Sequence, residues 1–317
     1  MQIFIAGATG VLGRRLITQF ADTGHTAVGL TRDERGDTIV ESCGGTPRRG
    51  DLFDEESVVR AAKGADVVIH AATAIPTEDP SPERWELNDR VRREGTQTLT
   101  TAAATVGADQ YLQQSIVWVS RPPDGTPFDE ESARHPDPST QSAADAEDIS
   151  REAGGQYNFD VGVLRCGYFY APDAYHTLAH GQDLIQDNKP LIKGSEAADI
   201  SRVHVSDAAS GFVAAAEEHL SGVWHVTDDE PVTMAAFSTA LAERLDAPAP
   251  EWISETKARQ AMRDAQVNLL TTPMVTSNEK LRTATEWEPS YPTYKTGLDH
   301  VVETWESDRM LTEDRTQ

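Results

Sequence analysis

Three glycines close to the start of the chain constrain its fold more than any other feature. Gly7, Gly10 and Gly13 form the stretch GATGVLG between an apolar run (2–7) and an amphipathic stretch (11–22). Glycine permits a tight turn and close approach of backbone N–H groups to a pyrophosphate, and a helix N-terminus adds partial positive charge. The pattern predicts a nucleotide-binding loop; a glycine turn without a ligand is the alternative. The predicted cofactor contacts here are Gly7, Thr9, Gly10, Val11, Leu12 and Gly13.

Strand-like and helix-like stretches alternate over the first two-thirds of the chain. Apolar runs typical of strands occupy residues 2–7, 26–31, 65–72, 111–119 and 160–167. Helical patterns occupy residues 11–22, 56–64, 83–106 and about 140–153. Continuous apolar strands separated by helices indicate a parallel sheet covered on both faces. The sequence therefore predicts an α/β fold with a doubly wound parallel sheet, the Rossmann architecture.

The alternation breaks after Tyr170. The stretch YAPDAYHTLAHGQD is predicted to be loop-rich, and a strand–helix pattern resumes at 202–218, followed by a last strand, turn and helix at 222–237. The rest is predicted to be helical to about residue 307 and then to fray. We expect a dinucleotide-binding domain at 1–170, with 204–230 returning to it, and a smaller C-terminal substrate or partner region at 171–203 and 231–317.

The charge balance excludes one class of partner. Asp and Glu outnumber Lys and Arg by 52 to 28, which gives a net charge of −24. Such a chain has no basic stripe with which to bind nucleic acid. An acidic excess with few lysines predicts a protein from a salt-adapted, halophilic organism; an ordinary acidic cytoplasmic protein is the alternative.

Two cysteines, Cys43 and Cys166, are too few for a disulfide scaffold, and the chain has no metal-type CxxC motif. The opening MQIFIAGATG lacks the basic segment of a signal peptide. No apolar run approaches the roughly 18 residues of a membrane helix. We expect a soluble, cytoplasmic protein with no metal site and no membrane partner.

Longer motifs follow one another in order over residues 1–237. RRGDLFDEESVVRAAKGADVVIHAAT (48–73), RREGTQTLTTAAATVGADQYLQQS (92–115) and VLRCGYFYAP (163–172) are the longest of them. Together with RVHVSDAASGFVAAAE and GVWHVTDDEPVTM, these stretches resemble the extended and atypical branches of the short-chain dehydrogenase/reductase superfamily, which include NAD-dependent epimerases and dehydratases. The resemblance implies further cofactor contacts by Asp51, Leu52, Ala71, Ala72, Thr73, Ser115, Cys166, Gly167 and Tyr168.

The end of the second strand bears on the choice of cofactor. NAD-binding relatives carry an Asp where this chain has Thr31, and the next residue is Arg32. An arginine can pair with the 2′-phosphate of NADP, which a carboxylate at position 31 would repel. Asp33 lies about 20 residues beyond the last glycine, where an NAD-type acid often stands. The predicted cofactor is NADP, with NAD possible.

Active relatives use a strand-five Ser and a Tyr-x-x-x-Lys pair for acid–base work. Aligned on that motif, STQSAADAE places Ser139 at the Tyr position and Ala143 at the Lys position. Ile116 stands where the catalytic Ser is usual, and Ser115 precedes it. The resemblance therefore implies a cofactor site without the usual proton-transfer pair.

Other residues are candidates to replace that pair. The catalytic candidates are Ser115, Tyr168 and His176, and the alternatives are Tyr170, Tyr175, His180 and His70. Asn88 lies one helical turn before Arg92, which occupies the family's Asn position, and it could take over that role. Arg92 and Arg165 are alternatives for binding an anionic substrate group, although Arg165 fits a structural position of the family.

Two functions follow from the resemblance. One is an NADP(H)-dependent oxidoreductase or epimerase-like enzyme with a proton donor other than the usual Tyr, or water. The alternative is a catalytically inactive NAD(P)-binding module with a structural or redox-sensing role. An ordinary sugar-nucleotide epimerase is disfavoured by Ser139 and Ala143. The small-molecule substrate is unknown, and a monomer and a homodimer are both open.

Overall fold

The computed structural model describes residues 1–77 and 81–311, except for the side chain of Ala265. Its strands are β1 (Gln2–Ala6), β2 (Thr26–Thr31), β3 (Thr46–Arg49), β4 (Val67–His70), β5 (Gln110–Ile116), β6 (Asp160–Cys166), β7 (Tyr168–Tyr170), β8 (Leu191–Ile192), β9 (Asp199–Ile200), β10 (Arg202–His204), β11 (Gly222–Val226), β12 (Val232–Thr233) and β13 (Trp252–Ile253). Its α-helices are α1 (Val11–Asp22), α2 (Glu34–Ser42), α3 (Glu55–Ala62), α4 (Pro82–Val106), α5 (Gln141–Tyr157), α6 (Tyr175–Ile185), α7 (Val205–Glu217), α8 (Met234–Arg244), α9 (Glu255–Ala261), α10 (Asp264–Thr271), α11 (Glu279–Ala284) and α12 (Tyr294–Asp308).

Seven strands form one sheet in the order β3-β2-β1-β4-β5-β6-β11. Every neighbouring pair in it is parallel. The chain moves outward from β1 through β2 to β3 and then returns to β4 on the other side of β1. This reversal creates a crevice at the carboxyl ends of β1 and β4, where ligands bind in open α/β sheets. The predicted doubly wound α/β fold is confirmed.

The two faces of the sheet carry separate apolar cores, because side chains alternate along each strand. Ile3 and Ile5 of β1 pack on one side with the buried face of α1 and with α7. Phe4 and Ala6 pack on the other side with α3 and α4. Helices cover both faces, which is why the central strands β1 and β4 are apolar over most of their length.

Several boundaries differ from the sequence expectation. The fifth strand was predicted to run to about residue 119, but β5 ends at Ile116, and Val117–Ser120 form a 3₁₀ helix. An apolar run does not distinguish a buried strand from a buried turn, and Val117 and Val119 are buried in either case. The stretch expected to be loop-rich contains α6, so His176 and His180 lie on a helix. The short elements α2 and β3 were not predicted.

From Tyr168 onward, three two-stranded sheets pair β7 with β10, β9 with β12 and β8 with β13. A third apolar core joins α6, α8 and α12, with Trp305 at its centre. Of the segment predicted to fray, residues 312–317 lie outside the described residues. Among the described helices, none is both long enough and apolar enough to cross a membrane.

Candidate cofactor and substrate site

The glycine loop forms a cradle that larger residues would close. Gly7 has φ +86°, and a Cβ there would lie 2.5 Å from the Ala72 nitrogen at the end of β4. A Cβ on Gly13 would lie 2.0 Å from the Gly7 carbonyl oxygen. Gly10 precedes α1 and offers no capping side chain, so the first N–H groups of the helix lack that acceptor. Such a helix N-terminus binds phosphate groups.

Not every predicted contact in this loop can use its side chain. The Leu12 side chain is buried in the core, which leaves only its backbone for a ligand. Thr9 and Val11 are partly exposed beside the loop. The structure therefore brings the backbone of the loop, and the backbone of Ala71 and Ala72, to one crevice.

Two carboxylates near the end of β2 are already engaged. Asp33 caps α2 by accepting a hydrogen bond from the Gly36 N–H at 2.8 Å. Asp37 accepts a 2.5 Å hydrogen bond from Thr31 Oγ1 and forms a 2.7 Å ion pair with Arg49. The bond from Thr31 and the nearby Arg49 guanidinium lower the pKa of Asp37.

Two arginines in the same segment are unengaged. Arg32 and Arg35 are exposed, and neither forms an ion pair or a side-chain hydrogen bond with any described residue. The chain carries 52 acidic residues, so carboxylate partners are not scarce. The sequence had pointed to Arg32 alone; Arg35 lies on the first turn of α2 and adds a second free positive charge.

The far wall of the crevice is held by His70. Its Nδ1 accepts the Ala72 N–H at 3.2 Å, and its Nε2–H donates to the Val91 carbonyl at 3.1 Å. Burial lowers its pKa to about 4, so the ring is neutral near pH 7. His70 thus fixes the turn at Ala71–Thr73. Its Nδ1, the nitrogen that faces this turn, carries no proton, and its Nε2–H is already donated to Val91.

Asp51 and Leu52, the predicted adenine contacts, lie between β3 and α3. Asp51 is exposed, and its Oδ1 accepts the Phe53 N–H at 3.0 Å. Leu52 is partly buried and packs against α4, where a Cβ on Gly95 would lie 2.8 Å from it. Asp51 is therefore open to solvent, whereas Leu52 is only partly so.

Two polar residues of α4, Asn88 and Arg92, are buried close to the end of β4. Asn88 is buried; its Oδ1 accepts the Ala74 N–H at 3.0 Å, while its Nδ2 has no hydrogen-bond partner among the described residues. Arg92 is buried too, and its Nη1 donates to Ser142 Oγ of α5 at 3.4 Å. An unpaired buried donor is costly, so the Asn88 amide is suited to a ligand, whereas Arg92 already donates to Ser142.

Ser115 is turned away from that edge. Its hydroxyl donates to Glu147 Oε1 at 2.6 Å, and the same buried carboxylate receives Arg165 at 2.8 and 2.7 Å. Arg165 also donates to Ser120 Oγ at 2.7 Å. This network occupies both Ser115 and Arg165 with structural contacts between β5, β6 and α5.

The positions aligned with the usual catalytic residues are apolar or distant. Ile116 packs with Ala143, Ala144 and Val119 in a small apolar cluster. Ser139 is exposed ahead of α5, and its hydroxyl donates to Asp137 at 2.6 Å. The cluster contains no group that could transfer a proton.

Aromatic side chains fill the carboxyl ends of β5 and β6. Tyr168 lies 5.7 Å from Trp118 and 5.4 Å from His176 between ring centroids. The Arg202 guanidinium stacks over the Tyr168 ring at 5.0 Å. The Cys166 side chain is buried in the apolar core that includes α1 and α7. Gly167 lets the backbone of Arg202 approach, because a Cβ there would lie 2.9 Å from the Arg202 carbonyl carbon.

The candidate proton donors differ in what their protons already bind. His176 Nε2–H donates to the Phe169 carbonyl at 2.5 Å. The Tyr168 hydroxyl has no hydrogen-bond partner among the described residues, and its side chain is partly exposed. Burial raises the pKa of Tyr168, and the charge of Arg202 acts in the opposite direction.

Residues 3–226 match the model of the NAD dependent epimerase/dehydratase family. The chain belongs to this family. It is 32% identical over 310 residues to a 3-diazoavenalumate denitrifying reductase of Streptomyces sp, covering 94% of this chain and 99% of that relative.

Solved members of the same fold superpose over nearly the whole chain. A Thermus thermophilus UDP-glucose 4-epimerase complex with NAD matches with a TM-score of 0.76 at 22% identity, covering 95% of this chain and 99% of that one. The human epimerase family protein SDR39U1 with NADPH matches with a TM-score of 0.78 at 17% identity, covering 96% and 99%. These likenesses show a shared fold.

Two side chains that contact Tyr168, Trp118 and Arg202, are not among the predicted site residues. The sequence predicted Trp118 to lie in a strand, and Arg202 stands in the segment RVHVSD without a predicted role of its own. What draws attention to them is their contact with Tyr168, which only the folded structure shows. A single sequence does not reveal which arginines lack a carboxylate partner.

Proposed function

We propose that this epimerase-family protein is an NADP(H)-dependent reductase whose proton donor is not the Tyr of a Tyr-x-x-x-Lys pair. The observation that carries the proposal is a glycine cradle with two unpaired arginines, Arg32 and Arg35, at its adenosine end. The bound cofactor would supply a hydride. The protein's part is to hold the acceptor close and correctly oriented, which contributes much of the rate in such reactions.

The cradle fits a dinucleotide. Gly7 and Gly13 leave room for a pyrophosphate at the start of α1, and the Asn88 amide supplies an unused donor in the same crevice. Residues 1–170 and 204–230 would form the cofactor part, because β11 pairs with β6 and α7 packs on α1. Residues 171–203 and 231–317 would supply the substrate part.

A preference for NADP over NAD follows from charge. Asp33 and Asp37, the carboxylates nearest the end of β2, are taken by the cap of α2 and by Arg49. Arg32 and Arg35 remain free to pair with a 2′-phosphate through charge-assisted hydrogen bonds.

Tyr168 is the proton donor we favour. Ser115 already donates to Glu147, and the Nε2 proton of His176 is donated to a backbone carbonyl. Tyr168 keeps its hydroxyl proton available beside the predicted nicotinamide end, next to the cationic Arg202. A tyrosine beside a cation would then perform here what the usual pair performs on α5 in relatives.

Reduction is favoured over epimerisation by a relative that matches 94% of this chain at 32% identity and is a reductase by its name. One observation favours a second candidate, a cofactor-binding module without turnover. Ile116 and Ala143 form an apolar contact at the positions aligned with catalytic Ser and Lys.

The test is NADPH fluorescence in two stages. Titration should show saturable NADPH binding, and oxidation of bound NADPH should follow on addition of at least one acceptor from a panel of aldehydes, ketones, quinones and diazo compounds. Binding without oxidation across the panel would support the module, and absence of binding would overturn both readings.

A further inference from the structure

Two arginines and one aspartate meet at the first turn of α1. Arg14 Nη2 donates to Asp173 Oδ2 at 2.5 Å, and Arg15 donates to both oxygens of the same carboxylate, at 2.7 and 3.3 Å. Arg15 Nη1 also donates to the carbonyl oxygen of Val11, the first residue of α1, at 2.9 Å. Because one nitrogen makes both contacts, the carboxylate lies at the end of α1 that follows the glycine loop.

The two arginines differ in the N–H groups that they have left for a ligand. Each of the three side-chain nitrogens of Arg15 already donates, since its Nε binds Ser206 Oγ of α7 at 3.1 Å. Arg14 donates only through Nη2, and its Nε and Nη1 have no hydrogen-bond partner among the described residues. The Arg14 side chain is 35% exposed, so a ligand can reach it.

The cluster of Arg14, Arg15 and Asp173 carries one positive charge in excess. Burial alone would raise the pKa of Asp173, but the hydrogen bonds from Arg15 and the charges of Arg15 and Arg14 lower it below its usual value. The carboxylate is therefore ionised near pH 7 and balances one guanidinium of the two. The first turn of α1 has no acidic residue, and the helix N-terminus adds partial positive charge. A further anion is attracted to such a place.

This excess charge lies beside the glycine cradle. Arg14 directly follows Gly13, and its backbone N–H donates to the Gly10 carbonyl at 2.9 Å. Long side chains on a helix lean toward its N-terminus, which is where a pyrophosphate would meet the first N–H groups of α1. The contact of Arg15 with Val11 shows this direction in the neighbouring side chain.

We propose that Arg14 is a further cofactor-binding residue, whose free Nε and Nη1 bind the pyrophosphate, and that Asp173 competes with the pyrophosphate for its charge. The proposal rests on the proposed function, because it requires a dinucleotide in the cradle. A planar guanidinium has more than one donor edge, so Arg14 is able to contact the carboxylate through Nη2 and a phosphate oxygen through its other groups.

The two members of this ion pair act on the cofactor in opposite directions. Arg14 attracts the pyrophosphate, whereas the charge of Asp173 repels it and takes up part of the charge of Arg14. Loss of Arg14 therefore weakens cofactor binding, and neutralisation of Asp173 strengthens it. An ion pair that only held α1 to the turn before α6 would give the same sign for both changes.

The test compares two probes by calorimetry at constant salt. ADP-ribose has the pyrophosphate but no 2′-phosphate, and adenosine 2′-monophosphate has the 2′-phosphate but no pyrophosphate. Arg14→Met should weaken ADP-ribose binding about tenfold, the worth of a charged hydrogen bond, and leave adenosine 2′-monophosphate within about twofold. Asp173→Asn should tighten ADP-ribose binding about two- to fivefold, because a nearby negative charge is removed. The affinity for NADPH should change in the same direction as that for ADP-ribose.

Arg244→Met is the matched control, because Arg244 forms a 2.7 Å ion pair with Asp299 between α8 and α12. It should leave both probes as in the wild type. Should Arg14→Met fail to fold, Arg14→Gln gives the same comparison with a side chain that still donates to Asp173.

Three results would overturn this proposal while leaving the proposed function in place. They are an unchanged affinity for ADP-ribose in Arg14→Met, an equal loss for both probes in that variant, and weaker ADP-ribose binding in Asp173→Asn. Each of them assumes that the wild type binds NADPH. If the wild type binds no NADPH, the proposed function and the role of Arg14 are overturned together.

Discussion

The hydroxyl of Ser115 donates a 2.6 Å hydrogen bond to Glu147, and this contact holds the serine between strand and helix. Glu147 is fully buried and receives Arg165 as well. A serine so engaged contributes to stability. We therefore expect Ser115→Ala to lower the free energy of unfolding by about 1 kcal/mol, the usual net value of such a bond.

The same variant should leave NADPH oxidation by the protein within about twofold of the wild type. Glu147→Gln should lower the free energy of unfolding by about 3–5 kcal/mol, because it leaves the buried Arg165 without its counter-charge. Urea unfolding measures both effects. If Ser115→Ala lowers the rate of NADPH oxidation a hundredfold or more at unchanged stability, Ser115 is a catalytic residue after all.

Much of the fold could be predicted because the signals are local. The Gly7 turn needs a positive φ, and the continuous apolar run of β1 shows directly in residues 2–6. The Ser115–Glu147 contact could not be predicted in the same way, because it joins residues 32 apart through the packing of α5 on the sheet. The importance of Arg202 is harder still, since it depends on which neighbours are missing.

Gly13→Ala tests the cradle. A Cβ at this position would lie 2.0 Å from the Gly7 carbonyl oxygen, so the loop must move. We expect a loss of about 1–3 kcal/mol in stability and a fall of at least about a hundredfold in NADPH affinity. Gly155→Ala in α5 is the matched control, because nothing lies within 4 Å of its Cβ. It should stabilise the protein by about 0.5–1 kcal/mol and leave binding intact.

Arg32→Asp tests the cofactor preference. Removing one positive charge beside Arg35 and adding a carboxylate should repel a 2′-phosphate and accept ribose hydroxyls instead. The ratio of Kd for NADPH to Kd for NADH should rise by about 10- to 100-fold, the worth of a charged hydrogen bond. Arg60→Asp gives the same change in net charge on α3, away from the crevice, and should not alter the ratio. An unchanged ratio in Arg32→Asp would remove the basis for preferring NADP.

Stability should fall as the pH falls below about 6.5. Burial lowers the pKa of His70 to about 4 and that of His180, His204 and His225 to about 3. The unfolded chain takes up protons on these rings near pH 6.5 while the folded protein does not, so acid favours unfolding. Asp207, with a pKa raised by burial to about 6, offsets part of this because it gains its proton in the folded state first.

Asp228, whose pKa burial raises well above its usual range, offsets a further part. Between pH 7.5 and 5.5 the net loss should therefore stay below about 5 kcal/mol, measured by urea unfolding at constant salt. His70→Gln should reduce the pH dependence by about 1 kcal/mol. At pH 5.5 the chain is still above its isoelectric point of about 4.6, so precipitation does not interfere. A flat profile would show that the buried histidines protonate in the folded state.

Tyr168→Phe tests the proton donor. The change removes only a hydroxyl that has no hydrogen-bond partner among the described residues, and the ring stays stacked between Trp118 and Arg202. Stability and NADPH affinity should therefore be close to the wild type. If Tyr168 delivers the proton, kcat for a carbonyl acceptor should fall by about 10²–10⁴ while KM changes little.

The pH profile separates this role from a packing role. A Tyr168 donor should give the wild type a fall in rate at high pH that disappears in Tyr168→Phe, because water has no matching ionisation there. Tyr157→Phe, at the exposed end of α5, is the matched control and should behave as the wild type. A Tyr168→Phe protein that keeps both its rate and its alkaline fall would assign the proton to solvent or to His176.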